Sequence, residues 1–204
     1  SAQGVAGALN AATDTVQDAR LQADSQMSDA VGRIRTLLDQ FKIANDAVIR
    51  GAGTAAELSD NLDERDRVLK QLSEEIGIRT ITRPNNDLAI YTEGGVTLFE
   101  GVPRHIGFQA TSTFTASTTG GAVSVDGVVI AGGPSPMPST TGRLAALAAV
   151  RDSIAPTFQN QLDEIARGLI EMFSEVNQAT PTAPPDVAGL FMNSIYRVIP
   201  PSGA

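Results

Sequence analysis

The chain has 204 residues, with 15 Lys+Arg against 23 Asp+Glu, a single His and neither Cys nor Trp. Its net charge of −8 argues against a phosphate backbone or an anionic membrane surface as main partner, since both need clustered Lys and Arg. Without Cys there is no disulfide framework and no thiolate site; no apolar run approaches the ~20 residues that span a bilayer, and no signal peptide opens the chain.

Residues 1–50 read as one long helix with a strict heptad. One seam row holds Leu9, Val16, Ala23, Ala30, Leu37 and Ala44; the other holds Thr13, Arg20, Met27, Ile34, Phe41 and Val48. Alternating spacings of four and three keep both rows on one stripe, the pattern of helices packed side by side. At ~1.5 Å per residue such a helix reaches on the order of 70 Å, which predicts a rod. Gly32 lowers local propensity by roughly 1 kcal/mol relative to Ala and is expected to mark close approach of a neighbouring helix. The break comes at Gly51-Ala52-Gly53.

Thr54-Ala55-Ala56-Glu57 is a capping-box pattern that opens a second helix. Leu58, Leu62, Leu69, Leu72 and Ile76 recur at helical spacing, with Arg65 in the remaining seam position. A buried guanidinium must be paired, so Arg65 is expected to bridge to a carboxylate such as Asp39 or Asp163. Gly77 fits the left-handed residue that ends helices. The short glycine link predicts an antiparallel helix pair.

From Ile78 the apolar period changes to two. Strands are predicted at 78–83, 88–92 and 96–100, punctuated by Pro84-Asn85-Asn86-Asp87 and Glu93-Gly94-Gly95, with a Thr-rich strand at 111–115. Asp126-Gly127 supplies both positive-φ positions of a type I′ turn, setting Val125 opposite Val128 and Val123 opposite Ile130. Residues 132–138, rich in Gly and Pro, form an exit linker. A third helix runs from about Gly142 to Asn177, with Leu144, Leu147, Ile154, Phe158, Leu162, Ile165, Leu169, Met172 and Val176 as its apolar stripe. Pro156 removes an internal hydrogen bond and predicts a kink or restart.

The fold class is therefore mainly α with a small antiparallel β subdomain: an elongated three-helix bundle with heptad packing, the β unit inserted between helices two and three. The expected divisions are 1–77 for the paired helices, 78–138 for the β subdomain, 139–179 for the returning helix and 180–204 for a proline-rich loop and tail.

The residues assemble no catalytic, cofactor or metal constellation. His105 stands alone, so a His-pair zinc site is impossible and a nucleophilic triad lacks its partners. Gly94-Gly95 and Gly120-Gly121 precede no helix carrying Lys and Ser/Thr, and read as turns. Asp60, Asp63, Glu64 and Asp66 lie on a predicted helix among Arg65 and Arg67, where ion pairing on a solvated face explains them better than calcium ligation. Glu74-Glu75 and Asp163-Glu164 lack the aromatics a sugar cleft needs, with only Tyr91 and Tyr196 present besides Phe. The prediction is a protein that is not an enzyme, takes no cofactor, and binds neither nucleic acid nor membrane.

Two segments resemble the flagellar hook-associated protein 1 family, FlgK. Leu62-Asp63-Glu64-Arg65-Asp66-Arg67-Val68-Leu69 resembles that family's Leu-Asp-x-Arg-Asp-x-Leu/Val-Leu helix, which is followed by a Gly and a strand. Gly142-Arg143-Leu144-Ala145-Ala146-Leu147, then Arg151-Asp152, Pro156 and Gln161-Leu162-Asp163-Glu164-Ile165-Ala166, resembles its third helix, and Gly189-Leu190-Phe191 an element beyond it. Asn177 is followed by Gln178, where the family often has a His. The resemblance implies structural roles for Asp63, Arg65, Asp66, Arg151, Asp152, Pro156, Gly189, Leu190 and Phe191.

It further implies a central fragment of an extracellular axial protein at the hook–filament junction, lacking the terminal axial helices and exported by the flagellar type III apparatus without a cleaved signal. Its implied partners are the hook protein, the next hook-associated protein, further copies in a ring of the full-length protein, and an export chaperone near the missing C-terminal region. Hook-associated protein 3, a flagellin-like axial protein and a dimeric coiled-coil scaffold module remain alternatives.

Overall fold

No proline precedes Pro84 and alanine is frequent in the first fifty positions, so nothing interrupts the helix the heptad favours. In the computed structural model, which describes residues 2–51 and 54–173, α1 runs unbroken over Ala2–Arg50. The chain is mainly helical with two small antiparallel sheets. It divides into one compact unit of Ala19–Ile154 and another that combines the stretch up to Asp18 with the stretch from Ala155.

In the first of these units every seam position of α1 from Arg20 to Val48 is buried. A third row, Asp24, Val31, Leu38 and Asn45, is buried as well. A two-row seam serves one partner helix; the wider stripe reflects burial against both a helix and sheets. Thr54 caps α2 (Ala55–Glu75), accepting from Glu57 N–H at 3.2 Å while its own N–H donates to the Glu57 carboxylate at 3.1 Å. α2 runs antiparallel to α1, since Arg33 meets Glu75 and Asn45 meets Arg65.

Gly77 departs from expectation. Its φ is not positive; α2 ends on an extended Ile76, and Gly77 is needed because a Cβ there would collide with the Thr141 hydroxyl. Gly32 does not mark a close neighbour either: apart from the adjoining backbone of α1, no described atom lies within 4 Å of where its Cβ would be. It borders an open groove of about 700 Å³ between α1 and α2, alongside Arg33, Leu37, Gln71 and Glu75.

The antiparallel β region expected between the helices forms two three-stranded sheets among the described residues. β1 (Ile78–Thr82), β2 (Leu88–Thr92) and β3 (Thr97–Phe99) pair in that order, and β2, at the centre, is the most buried. Phe99 meets Phe41 of α1 edge to face, with ring centroids 4.9 Å apart. Both rings are fully buried, each contributing about 1.5–3 kcal/mol by removal from water.

The second sheet is β4 (Ile106–Gly107), β5 (Val123–Val125) and β6 (Val128–Ala131). Asp126 and Gly127 take φ of 47° and 86°, as a type I′ turn requires, and Val125 faces Val128. Val123 faces Ala131 rather than Ile130, because a register shift beyond Ser124 leaves one extra residue on β6. The expected strand at 111–115 does not form. Its backbone is held by side chains of α1: Thr111 N–H donates to Asp24 and the Thr115 carbonyl accepts from Arg20.

α3 (Arg143–Ala149) passes into a π-helical turn (Val150–Ile154), and α4 (Ala155–Met172) follows. Pro156 stands at the second residue of α4. Having no N–H, it cannot serve the carbonyl of Asp152, so the expected restart takes the form of a widened turn just before it. A π turn holds an additional residue, so a stripe read across it on the α period falls out of phase. Accordingly Phe158, Ile165 and Met172 are exposed, and Ala155, Gln159 and Ile170 are buried.

In the other compact unit, Gln17 of α1 donates to the Gln159 side-chain oxygen at 2.9 Å. Gln159 in turn donates to Asp163 at 2.7 Å.

Candidate functional site: the buried arginine nodes

Ionised side chains leave water only when paired and hydrogen-bonded. Three arginines of the unit 19–154 are nonetheless buried: Arg20, Arg65 and Arg151. Each is held by polar groups from distant parts of the chain.

Arg151, on the π turn, is 0% exposed. Its Nη1 donates to Asp24 of α1, Nε and Nη2 both donate to Asp152 at 2.8 Å, and Nη2 reaches the Gly132 carbonyl at 3.3 Å. Gly120 and Gly132 border the guanidinium, where any Cβ would collide with it. The other Asp24 oxygen accepts Thr111 N–H at 2.6 Å.

Arg20 lies alongside. Its Nε donates to the Arg151 carbonyl at 3.1 Å, and its two terminal nitrogens donate to the carbonyls of Thr115 at 2.8 Å and Thr118 at 2.6 Å. The guanidinium carbon sits 4.7 Å from the centre of the Phe114 ring, within cation–π range. Two arginines and two aspartates thus balance. Burial lowers the pKa of Arg20, opposed by Asp152 and reinforced by Arg151. Burial acts on Arg151 in the same direction but is outweighed by hydrogen bonds to Asp152 and Asp24, which leave its pKa raised. The node is a fixed ionic joint between α1, the π turn and the 111–120 loop.

Arg65 forms the second node. Among the described residues Arg65 makes no ion pair with a carboxylate, and Asp39, one of the expected partners, is exposed on α1. Arg65 Nη1 instead donates to the Asn86 carbonyl at 2.7 Å and, at 3.4 Å, to the Asn45 side chain. Asn85 and Asn86 take φ of 61° and 58°, a left-handed conformation that Asn tolerates better than most residues. Asn45 also accepts Leu88 N–H at 3.2 Å and donates to Asp87 at 2.7 Å. Burial lowers the Arg65 pKa, with Asp66 and Asp87 opposing. Its Nε is buried without a hydrogen-bond partner among the described residues.

Of the residues singled out from sequence, Arg65 and Arg151 are thus buried hubs, Asp152 is the bidentate partner of Arg151, and Pro156 follows the π turn. Asp63 and Asp66 are exposed on α2. Gly189, Leu190 and Phe191 lie outside the described residues. Asp24 and Asn45 were missed; the signal for them was a polar residue at each end of the row shared with Val31 and Leu38.

His105 is exposed, its backbone N–H donating to Asp126 at 3.1 Å. Among the described residues no group of three or more His, Cys, Asp or Glu is placed to hold a metal ion, and no helix is long and apolar enough to cross a membrane.

Comparison with known proteins accords with this architecture. Comparison with curated proteins gives no match. Among solved structures, the flagellar hook junction protein FlgK from Burkholderia pseudomallei is similar in fold, with a TM-score of 0.66 and 24% sequence identity over 84% of this chain. The chain spans 31% of that protein's length. The family model of the flagellar hook-associated protein FlgK helical domain matches residues 1–186, and over that span the chain belongs to this family.

Proposed function

We propose that this chain is a structural, non-catalytic segment of the bacterial flagellum, acting at the junction where hook meets filament. Membership of the FlgK helical-domain family over residues 1–186 is the observation that carries the reading. The nodes agree with it in kind: the buried guanidinium groups are engaged with carboxylates, side-chain amides and backbone carbonyls, an arrangement suited to transmitting load.

In this reading the helices form an elongated three-helix bundle, the sheets between α2 and α3 give an outward-facing surface, and Asp63, Arg65, Asp66, Arg151, Asp152 and Pro156 are structural determinants. The division into 1–77, 78–138, 139–179 and 180–204 belongs to the same proposal. The whole protein would be extracellular, exported through the flagellar type III apparatus, and would stack as a ring between hook protein and the next hook-associated protein, adapting one polymer to the other. An export chaperone would bind it near the C-terminal region.

Immunogold electron microscopy of flagella, with antibody raised against this chain, tests the reading. A single gold position where hook meets filament is expected. Label along the whole filament would move the protein to the flagellin class, and flagella without label would overturn the axial role in favour of a coiled-coil scaffold.

A further inference from the structure

The turn between β2 and β3 is fastened to the segment that leads into α3 by one carboxylate. Glu93 Oε1 accepts Thr140 N–H, the Thr140 hydroxyl at 2.9 Å and Thr141 N–H at 2.7 Å; Oε2 accepts the Thr141 hydroxyl at 3.0 Å. Backbone bonds flank this clasp, Gly77 N–H to the Thr141 carbonyl at 3.1 Å and Glu93 N–H to the Gly77 carbonyl at 3.0 Å. The two segments close to a distance only glycine allows. A Cβ at Gly94 would lie 2.7 Å from the Met137 carbonyl oxygen, and one at Gly142 would lie 2.8 Å from the Ile76 backbone.

Two of the four groups facing the carboxylate are backbone N–H donors, both on Oε1, and the two Thr hydroxyls also donate to it, an arrangement that favours the ionised form. Protonation replaces charge-assisted bonds by weaker neutral ones and forces the Thr141 hydroxyl on Oε2 to turn from donor to acceptor. The charged groups on the elements packed here are Glu74 and Glu75 at the end of α2, Arg79 on β1 and Arg143 on α3. Glu75 is engaged by Arg33 and Arg143 reaches Gln26. None of these contributes to the Glu93 shift: burial pushes its pKa up, and the bonds from Thr140 and Thr141 outweigh burial and leave it lowered.

We propose that Glu93 is an acid-releasable clasp that locks the β2–β3 turn onto the Thr140–Thr141 strap at the entry to α3. Because the folded group titrates below its ordinary value, its contribution is complete above 4.5 and is lost as pH falls through the lowered value. Release frees the strap from the carboxylate, leaving the backbone bond from Gly77 N–H to the Thr141 carbonyl.

Hydrogen exchange of the full chain, expressed as protection factors across a pH series, tests this. Protection at Thr140 and Thr141 is expected to fall below the ordinary glutamate pKa, before the amides of β5 and β6. In Glu93→Gln it falls on the order of tenfold or more at neutral pH, with the circular dichroism spectrum unchanged. Equal protection in Glu93→Gln and the parent chain would overturn the proposal, as would loss at Thr140 and Thr141 only together with the whole fold. Should Glu93→Gln fail to fold, the Thr140→Val, Thr141→Val double variant removes two donors and is expected to raise the release pH. An unchanged release pH in that variant would equally overturn the clasp.

Discussion

Asp24 and Arg151 meet in the interior across 127 positions of sequence, the guanidinium fully buried and the carboxylate 1% exposed. The pair joins α1 to the π turn, and Asp24 simultaneously receives Thr111 N–H. Its removal leaves Arg151 with Asp152 as its one carboxylate, the node one negative charge short, and Thr111 N–H without its acceptor.

Asp24→Ala is expected to destabilise the chain by about 1–3 kcal/mol, since Arg151 loses one of two carboxylates and Thr111 N–H its acceptor. The measurement is the urea midpoint at unchanged m-value. Paired with Arg151→Met, the double variant should lose clearly less than the sum of the single losses. Strict additivity would mean that the two side chains do not interact energetically.

The Arg65 node predicts an inverted order of severity. Asn45 engages Arg65, Leu88 N–H and Asp87 at once, so Asn45→Ala is expected to cost about 1–3 kcal/mol in unsatisfied groups. Arg65→Met removes a buried charge whose Nε has no partner among the described residues, and is expected to cost less, about 1 kcal/mol or below. Chemical denaturation of both variants decides the order.

Two glycines should respond in opposite directions. Gly32 lies inside α1 with open space around its Cβ position, so Gly32→Ala is expected to raise stability by about 0.5–1 kcal/mol. Gly142 has φ of 87°, and a Cβ on it would lie 2.8 Å from the Ile76 backbone, so Gly142→Ala should lower the melting temperature. A calorimetric scan of each shows the sign.

Thr54→Ala removes the hydroxyl that caps α2 and is expected to cost about 1 kcal/mol. Because the cap is exposed at the helix start, the loss should show first as faster amide exchange at Glu57. Unchanged exchange there would mean that water replaces the cap without penalty.

Much of this was legible in the chain. The seam rows, the Thr54-Glu57 cap, the Asp126-Gly127 turn and β1 to β3 each follow from local chemistry between near neighbours. The misread features depend on contacts from far away. Thr-rich 111–115 has strand propensity, yet its backbone groups are claimed by Arg20 and Asp24. Gly77 looks like a helix terminator, but its smallness serves Thr141. Arg65 is expected to meet a carboxylate, while the structure supplies the Asn86 carbonyl and the Asn45 amide. Arg151 belongs to a sequence motif, but its partner Asp24 lies 127 positions away and nothing local distinguishes it from the other acids of α1.

A heptad helix has an inherent ambiguity. Slide it by seven residues and its apolar rows meet the same kind of neighbours again. The row of Asp24, Val31, Leu38 and Asn45 is not degenerate in this way. One heptad of slippage would present Arg151 with Val31 or Gln17 and Arg65 with Leu38 in place of Asn45, so at least one guanidinium would face aliphatic carbon. The two polar residues thus act as the teeth of a key, and only one axial setting of α1 turns in the lock.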